Sequence, residues 1–415
     1  MTRERKSRRP GHSPCDGPGE SCPPQRPTEA GSPGAAADAT PNPAPPAGSR
    51  RRPRYAGTHP RRFEHRYKEL NRDAFPQMQQ HIRGQGRTPA GSHVPVLVDE
   101  VMAALQPSPG EVVLDCTLGY GGHAEEFMRR VGPTGRLIGL DLDGAELRRT
   151  GERLASIGVP VTLHGTAIST AESWTASLAP VSLHRSHFAG MGKVMAAEGL
   201  TGFDVVLADL GVSSMQIDDP SRGFSYKHDG PLDMRMDDRE RRSAGDILAT
   251  IDHHDLAAAL WDLADEPDHE RIADVIVAKR RSRPIRRTSE LVSLVLEAKG
   301  LTRGQWREIA EHEPAALHPA ARTFQALRML VNDEANGLTQ FLRVVPYSLS
   351  PSGRVGVITF HSGEERRVVE AFAKGVAEGA YEAVSEQPHR PSPRELRANP
   401  RSRSARLHWA RRCAS

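Results

Sequence analysis

The sequence predicts a doubly wound α/β fold with an inserted helical domain and a disordered N-terminal extension, on three observations. Short apolar runs ending in an acid, EVVLD (residues 111–115), RLIGLD (136–141) and FDVVLAD (203–209), read as buried parallel strands. Helical patterns separate them, and strands alternating with helices imply a sheet covered on both faces. A stretch of mostly helical pattern, residues 217–319, follows the last of these runs; it is too long for a loop and too polar for sheet core.

Composition frames these elements. The chain has 415 residues, 37% of them hydrophobic, with a mean hydropathy of −0.54. That negative mean hydropathy leads to the expectation that part of the chain stays unfolded. Eleven of the 33 prolines fall in the first 50 residues, among Gly, Ser, Ala and Arg. That mixture cannot bury enough apolar surface to offset its ordering entropy. Residues 1–92 are therefore expected to be a disordered, basic extension, with RRFEHRYKELNR (61–72) as a short basic helix inside it. The remainder divides into a first part of the α/β domain (93–216), the inserted helical domain (217–319) and a second part (320–415) with a basic C-terminal segment.

The net charge of +4 conceals an asymmetry: residues 1–92 carry +9 and residues 386–415 carry +6, which leaves −11 between them. Basic ends on an acidic body point to a polyanionic partner. No run approaches the roughly 20 apolar residues of a membrane span, and the opening MTRERKSRRPGHSP has no apolar stretch of the secretory kind. Cysteines at 15, 22, 116 and 413 make neither a disulfide framework nor a CxxC metal pair. The expectation is a cytoplasmic protein with no membrane partner and no structural metal.

Order is expected to begin near His93. VPVLVDEVMAAL (94–105) has a helical apolar face behind a proline. EVVLD is the first strand and GHAEEFMRRVG a helix. RLIGLD is the second strand, residues 145–157 a second helix, and VTL (161–163) a third strand. FDVVLAD is the fourth strand. RVGVITF (354–360) is the fifth, preceded by one long helical pattern over residues 323–345.

The first strand runs into Cys116-Thr117-Leu118-Gly119-Tyr120-Gly121-Gly122-His123. Glycines at a strand-to-helix turn allow positive φ and a close approach of ligand to backbone. Asp141 ends the second strand 22 residues after Gly119, where an acid commonly accepts from the hydroxyls of an adenosine ribose. The glycine spacing departs from G-x-G-x-x-G, and no Lys follows, so neither a plain dinucleotide fingerprint nor a phosphate-binding P-loop is met. G-x-G-G with an acid about 20 residues on also fits S-adenosylmethionine, which has an adenosine and no pyrophosphate.

Asp209 ends the fourth strand and opens DLGVSS. RGFSY (222–226) and DGPLDMRMD (229–237) follow, a loop without hydrophobic period that carries Phe224, Tyr226, Arg222, Arg235 and Asp233. Core packing does not explain such a loop, whereas a functional role does.

Here the residues match a family. HVPVLVDEV, TLGYGGH, DLGVSS, RGFSY, DGPLDMRMD, HPAARTFQALRMLVNDE, ITFHS and NPRSRSARL occur in that order over residues 93–410. The chain resembles the bacterial 16S ribosomal RNA cytosine-N4 methyltransferases, the RsmH (MraW) family. The resemblance implies a Rossmann-like class I S-adenosylmethionine-dependent methyltransferase fold with an inserted helical domain. It implies methylation of the exocyclic N4 of a cytidine in the decoding centre of 16S rRNA, with S-adenosylmethionine as donor. Its cofactor contacts map by motif onto Gly121, Gly122, His123, Asp141, Asp209 and Gln216. Where the family carries an aromatic in His-Gly-x-Phe-Ser after the third strand, this chain has Ala167 in His164-Gly165-Thr166-Ala167-Ile168. Two further departures are a polar stretch over residues 171–200, expected to be a surface loop, and Leu263-Ala264-Asp265-Glu266-Pro267 in place of Tyr-Gly-Glu-Glu.

The sulfonium activates its own methyl group, so the protein has to position the acceptor nitrogen in line. An acceptor oxygen on the N4–H would restore electron density to that weak nucleophile. Asp209 is the candidate, with Ser213, Ser214 and local carbonyls as rivals. Phe224 or Tyr226 is a candidate to stack on an extruded base. Arg222, Arg235 and Asp233 are substrate-side candidates, the arginines for flanking phosphates. RPSPRELRANPRSRSARLHWARR (390–412) suits rRNA phosphates, and within the family pattern its end is also the last strand. The expected partner is 16S rRNA in a small ribosomal subunit or late assembly particle, and the insertion offers a surface for a homodimer. A methyltransferase for another RNA or for DNA, and a non-catalytic RNA-binding assembly factor, stay open as alternatives.

Overall fold

A computed structural model describes residues 95–168, 177–313 and 316–415. The extension of residues 1–92, and the helix expected at 61–72, lie outside the described residues. In chain order the first layer of elements is α1 (Val98–Leu105), β1 (Val112–Asp115), α2 (Gly122–Val131), β2 (Arg136–Asp141), α3 (Gly144–Ser156), β3 (Val161–Leu163), β4 (Thr166–Ala167), β5 (Val181–Arg185), α4 (Met191–Ala197) and β6 (Phe203–Asp209). The short α5 (Ser214–Asp218) leads into α6 (Ala244–Thr250), α7 (His253–Ala264), α8 (His269–Arg280), α9 (Thr288–Ala298), α10 (Arg303–His312) and α11 (Ala321–Val331). The chain closes with α12 (Glu334–Ser348), β7 (Leu349–Thr359), α13 (Ser362–Ala377), β8 (Tyr381–Val384), α14 (Pro393–Ala398) and β9 (Arg406–Arg412).

Among the described residues the strands form one nine-stranded sheet in the order β4-β3-β5-β2-β1-β6-β7-β9-β8. The run from β3 to β7 is parallel, while β9 lies antiparallel between β7 and β8. This is the α/β architecture with a largely parallel sheet expected from the alternation, and it agrees with the Rossmann-like fold that the resemblance implies. Its central strands are buried on both faces, which is why they read as unbroken apolar runs. Val113, Leu137, Val205 and Leu207 pack on the side of α1, α2 and α3. Leu114, Ile138, Val206 and Ala208 pack on the side of α4, α12 and α13.

Helices α6 to α9 and α11 enclose a separate apolar cluster that includes Leu256, Leu260, Ile272, Leu291, Phe324 and Leu327. Helix α7 ends at Ala264 because Asp265 takes a left-handed conformation (φ 49°) ahead of Pro267. The departure from Tyr-Gly-Glu-Glu thus falls at a helix end. Glu266 behind it is fully buried and paired with Lys299.

Two expectations need correction. The segment 171–200 is not simply a surface loop. Its described part contains β5, in which Val181 and Leu183 alternate inward, and β5 enters the sheet between β3 and β2. The polar Ser182, His184 and Arg185 hid this strand from a reading based on continuous apolar runs. The long helix over residues 323–345 is two helices, α11 and α12, split at Asn332 and Asp333, where Asp333 has φ 49°.

Candidate active site

Neighbouring strands β2, β1 and β6 deliver Asp141, Asp115 and Asp209 to one edge of the sheet, the carboxyl end where open α/β sheets place ligands. Asp115 is 2% exposed. Burial pushes its carboxyl up to about 7, against the Thr117 N–H that its Oδ1 accepts at 3.1 Å and with the help of the Asp141 charge. Asp141 is pushed up to about 6, again by burial. The N–H groups of Asp143 (2.9 Å, to Oδ1) and Gly119 (2.8 Å, to Oδ2) oppose the shift. Asp209 is also raised, by burial and then by the charges of Asp115 and Glu364. Its side chain keeps some surface, but Oδ1 is enclosed and has no hydrogen-bond partner among the described residues. An enclosed acceptor left unpaired is costly, and a ligand donor or cation would relieve it.

The glycine turn sits above β1. Gly119 (φ 49°) and Gly121 (φ 79°) are left-handed. A Cβ on Gly122 would lie 2.7 Å from Pro95 Cγ, so the loop is pinned beneath the chain entering α1. His123 is 6% exposed and its Nε2 lies 2.8 Å from the Val96 carbonyl, to which it donates. The ring therefore ties the entering segment to the loop.

The stretch after β6 is a mesh of carboxylate–arginine forks. Ser213 caps α5: its Oγ accepts the Gln216 N–H at 3.2 Å while its own N–H donates to Gln216 Oε1 at 3.1 Å. Gln216 Nε2 reaches Asp143 Oδ2 at 3.4 Å. Arg222 pairs with the same Asp143 and donates to the carbonyls of Arg235 (2.9 Å) and Met236 (3.3 Å). Burial raises the Asp143 carboxyl, yet the hydrogen bond and charge of Arg222 outweigh it and hold the group below its usual range. Arg235 grips Asp233 with two bonds, 2.8 and 2.7 Å, and the Glu240 carbonyl at 2.8 Å. Both arginines expected at phosphates are thus engaged within the loop. Phe224 is 8% exposed and packs in the helical cluster. Tyr226, half-buried, stacks on His318 with ring centroids 4.5 Å apart and meets Phe324 edge-on at 5.8 Å.

The structure adds groups that sequence reasoning did not assign. Glu364, 4% exposed, accepts the Phe360 N–H at 2.8 Å and lies 3.0 Å from His361 Nε2. Burial raises Glu364, but His361, that N–H and Arg328 overcome it and keep the carboxyl low. Arg328 holds Glu334 with two bonds of 2.8 and 2.9 Å. ITFHS thus brings an ionised carboxylate to face Asp209, and HPAARTFQALR brings its counter-charge. Asn332 binds the Met234 carbonyl (2.8 Å) and Met236 N–H (2.7 Å), so the helix break after α11 holds the loop in place.

Ala167 is placed apart from the other candidates. It is exposed on β4, the outer edge of the sheet, with β3 and β5 between it and β2. The strand beside β2 is β5, and Ser186, just past its end, donates its N–H to the Asp141 carbonyl at 3.1 Å. His187 and Phe188 follow, with ring centroids 4.0 Å apart. Sheet order therefore puts Phe188, not Ala167, after the strand that neighbours Asp141. The physical reason is that VTL and VSLHR are both strands, and a short apolar run cannot reveal which one pairs with β2. The signal that could have found it was an aromatic three residues beyond VSLHR.

The donors suit a cationic, hydroxyl-bearing ligand. Three carboxylates at adjacent strand ends would repel a pyrophosphate, while they match a sulfonium and a ribose. Among the described residues no helix is long and apolar enough to cross a membrane.

Comparison with known proteins agrees with this geometry. The chain is 40% identical over 364 residues to ribosomal RNA small subunit methyltransferase H 1 of Lachnoclostridium phytofermentans, covering 87% of this chain and 92% of that protein. It is 38% identical to ribosomal RNA small subunit methyltransferase H 2 of Alkaliphilus metalliredigens, covering 87% and 97%. It is 41% identical to ribosomal RNA small subunit methyltransferase H of Symbiobacterium thermophilum, covering 76% and 95%. The model of the MraW methylase family matches residues 90–413, and the chain belongs to that family.

Proposed function

We propose that this protein methylates RNA of the small ribosomal subunit with S-adenosylmethionine as donor, and that the acceptor is the N4 amine of a cytidine in 16S rRNA. The observation that carries this reading is the enclosed Asp209 Oδ1 at the carboxyl end of the sheet, without a hydrogen-bond partner among the described residues, within a family of methylases. S-adenosylmethionine, when bound, supplies an electrophilic methyl group and needs no metal or covalent nucleophile for it. Asp141 accepts from ribose hydroxyls with the lone pairs its two backbone contacts leave free. Gly119 to Gly122 allow close backbone approach, and His187 and Phe188 border the adenine side. Asp209 Oδ1 accepts an N–H of the substrate amine, holding the nitrogen in line and returning electron density to it. Ser213 caps α5 and Gln216 ties that helix to Asp143, which fixes the start of the loop beside the acceptor.

A positive ligand favours the ionised form of each strand-end acid. Cofactor affinity is therefore expected to rise from pH 5.5 to 7.5, as groups near 6 (Asp141) and near 7 (Asp115) lose their protons. Calorimetric titration at three pH values checks this, and Asp115→Asn should flatten the upper half of the rise. A flat profile in the wild type would contradict the assigned carboxylates. The reaction itself is tested by incubating the protein with labelled S-adenosylmethionine and small ribosomal subunits. Label in the RNA is expected; label in protein alone, or nowhere, would refute the proposal.

A further inference from the structure

Residues 279–287, KRRSRPIRR, join α8 to α9 and place six cationic side chains in nine positions. The surrounding segment 217–319 has 21 acids against 16 Lys and Arg, so this run reverses the local charge instead of following it. Some of its charges have structural work. Lys279 pairs with Glu297 at 3.2 Å, Arg280 donates to the Leu248 carbonyl at 2.6 Å, and Arg287 pairs with Asp229. Arg281 and Arg286 are exposed and, among the described residues, make no ion pair.

Pro231, Arg283, Pro284, Arg286, Arg287 and Glu290 line an open cleft of about 510 Å³. The one acid in its wall is already used. Glu290 Oε1 meets Arg283 at 2.8 Å, and Oε2 accepts the N–H groups of Arg286 (2.9 Å) and Arg287 (3.1 Å). The two prolines supply apolar faces between the guanidinium groups. The cleft is also strung to the site loop: Leu232 N–H donates to the Arg286 carbonyl at 2.9 Å, and Thr288 N–H to the Gly230 carbonyl at 3.0 Å. Whatever binds here lies against residues 229–232, the segment that continues to Asp233 and the Arg222–Asp143 pair.

We infer that this cleft binds the phosphodiester backbone of the substrate RNA, with Arg281, Arg283 and Arg286 on phosphates and Pro231 and Pro284 against sugar or base. This deepens the proposed function and rests on its RNA substrate. Arginines engaged within the site loop are not available for that task, whereas Arg281 and Arg286 make no ion pair among the described residues and Arg283 shares only the exposed pair with Glu290. Arginine forks match phosphate geometry, and each phosphate neutralised releases counterions, which makes the binding salt-dependent.

The test compares wild type with an Arg281→Glu/Arg286→Glu double variant in binding fluorescently labelled small-subunit rRNA at 50 to 200 mM salt. The double variant is expected to bind at least roughly tenfold more weakly, with a salt slope shallower by about 1 to 2. Its cofactor affinity and thermal midpoint should match wild type. An Arg281→Lys/Arg286→Lys variant, which keeps the charge, should recover most of the affinity. Equal binding and equal slope in the Glu variant would overturn the inference, as would a wild type with no RNA affinity. Failure of the proposed function is a separate result: RNA binding that is lost in the Glu variant, with no methyl transfer by the wild type, leaves the cleft assigned and the reaction wrong.

Discussion

Asp209→Asn is expected to slow methyl transfer by roughly 10²–10³-fold at saturating cofactor, the usual loss when one preorganised polar contact to a reacting group is removed. The reason is local. Asp209 Oδ1 is the enclosed carboxylate oxygen at the strand ends that no described donor satisfies, while both oxygens of Asp141 already take backbone N–H groups. Asn keeps the shape, and its backbone N–H still reaches Thr117 Oγ1. What it loses is the charge that favours an amine donor. The same change removes a carboxyl raised by burial and by repulsion from Asp115 and Glu364, so the ligand-free variant should unfold at the same temperature or a higher one. Single-turnover transfer together with a melting curve separates the two effects. A loss smaller than fivefold would move the acceptor role to Ser213 or a backbone carbonyl.

Gly230→Ala is expected to be the most damaging small substitution in the loop. A Cβ there would sit 1.8 Å from the Pro220 carbonyl oxygen and 2.8 Å from its carbon, so the backbone itself has to move. Gly223, with φ 73°, faces the same packing from the other strand of the loop, where a Cβ would lie 2.2 Å from the Pro231 oxygen. Forcing residues 220–223 away from 230–233 strains the bond from Met234 N–H to the Arg222 carbonyl (2.9 Å) and displaces Arg222 from Asp143. Overpacking of this kind costs about 1–3 kcal/mol. Denaturant unfolding should report that loss, and methyl transfer should fall with it even where the protein stays folded. Wild-type stability and turnover in this variant would show that the loop geometry does not matter to the site.

Much of the fold was legible because burial on both faces writes itself into EVVLD, RLIGLD and FDVVLAD, and each run ends in an acid that the sheet brings to its carboxyl edge. The glycine turn was legible for the same reason: Gly119 and Gly121 take positive φ, and Gly122 has no room for a side chain. Strand β5 was not legible, because Ser182, His184 and Arg185 break its apolar run, and pairing between distant strands leaves no local trace. The same omission hid the sheet order, in which Ala167 lies on the exposed edge strand and Phe188 follows the strand beside β2. The arginines of the site loop were hard to read for another reason. Arg222 and Arg235 stand among acids in the sequence, but composition cannot tell whether such arginines face a ligand or their own neighbours. Their pairings with Asp143 and Asp233 are visible only in three dimensions. Glu364 and Arg328 were hidden because their meaning comes from separate segments: the charge of Glu364 acts on Asp209, and that of Arg328 acts on Glu364.

The most direct measurement is digestion and mass spectrometry of small-subunit RNA after incubation with this protein and labelled S-adenosylmethionine, using subunits that lack the modification. The expected result is label in N4-methylcytidine at one site, abolished or strongly reduced with Asp209→Asn. Label in a different nucleoside, or equal label with the variant, would contradict the assignment of the acceptor and of the group that positions it.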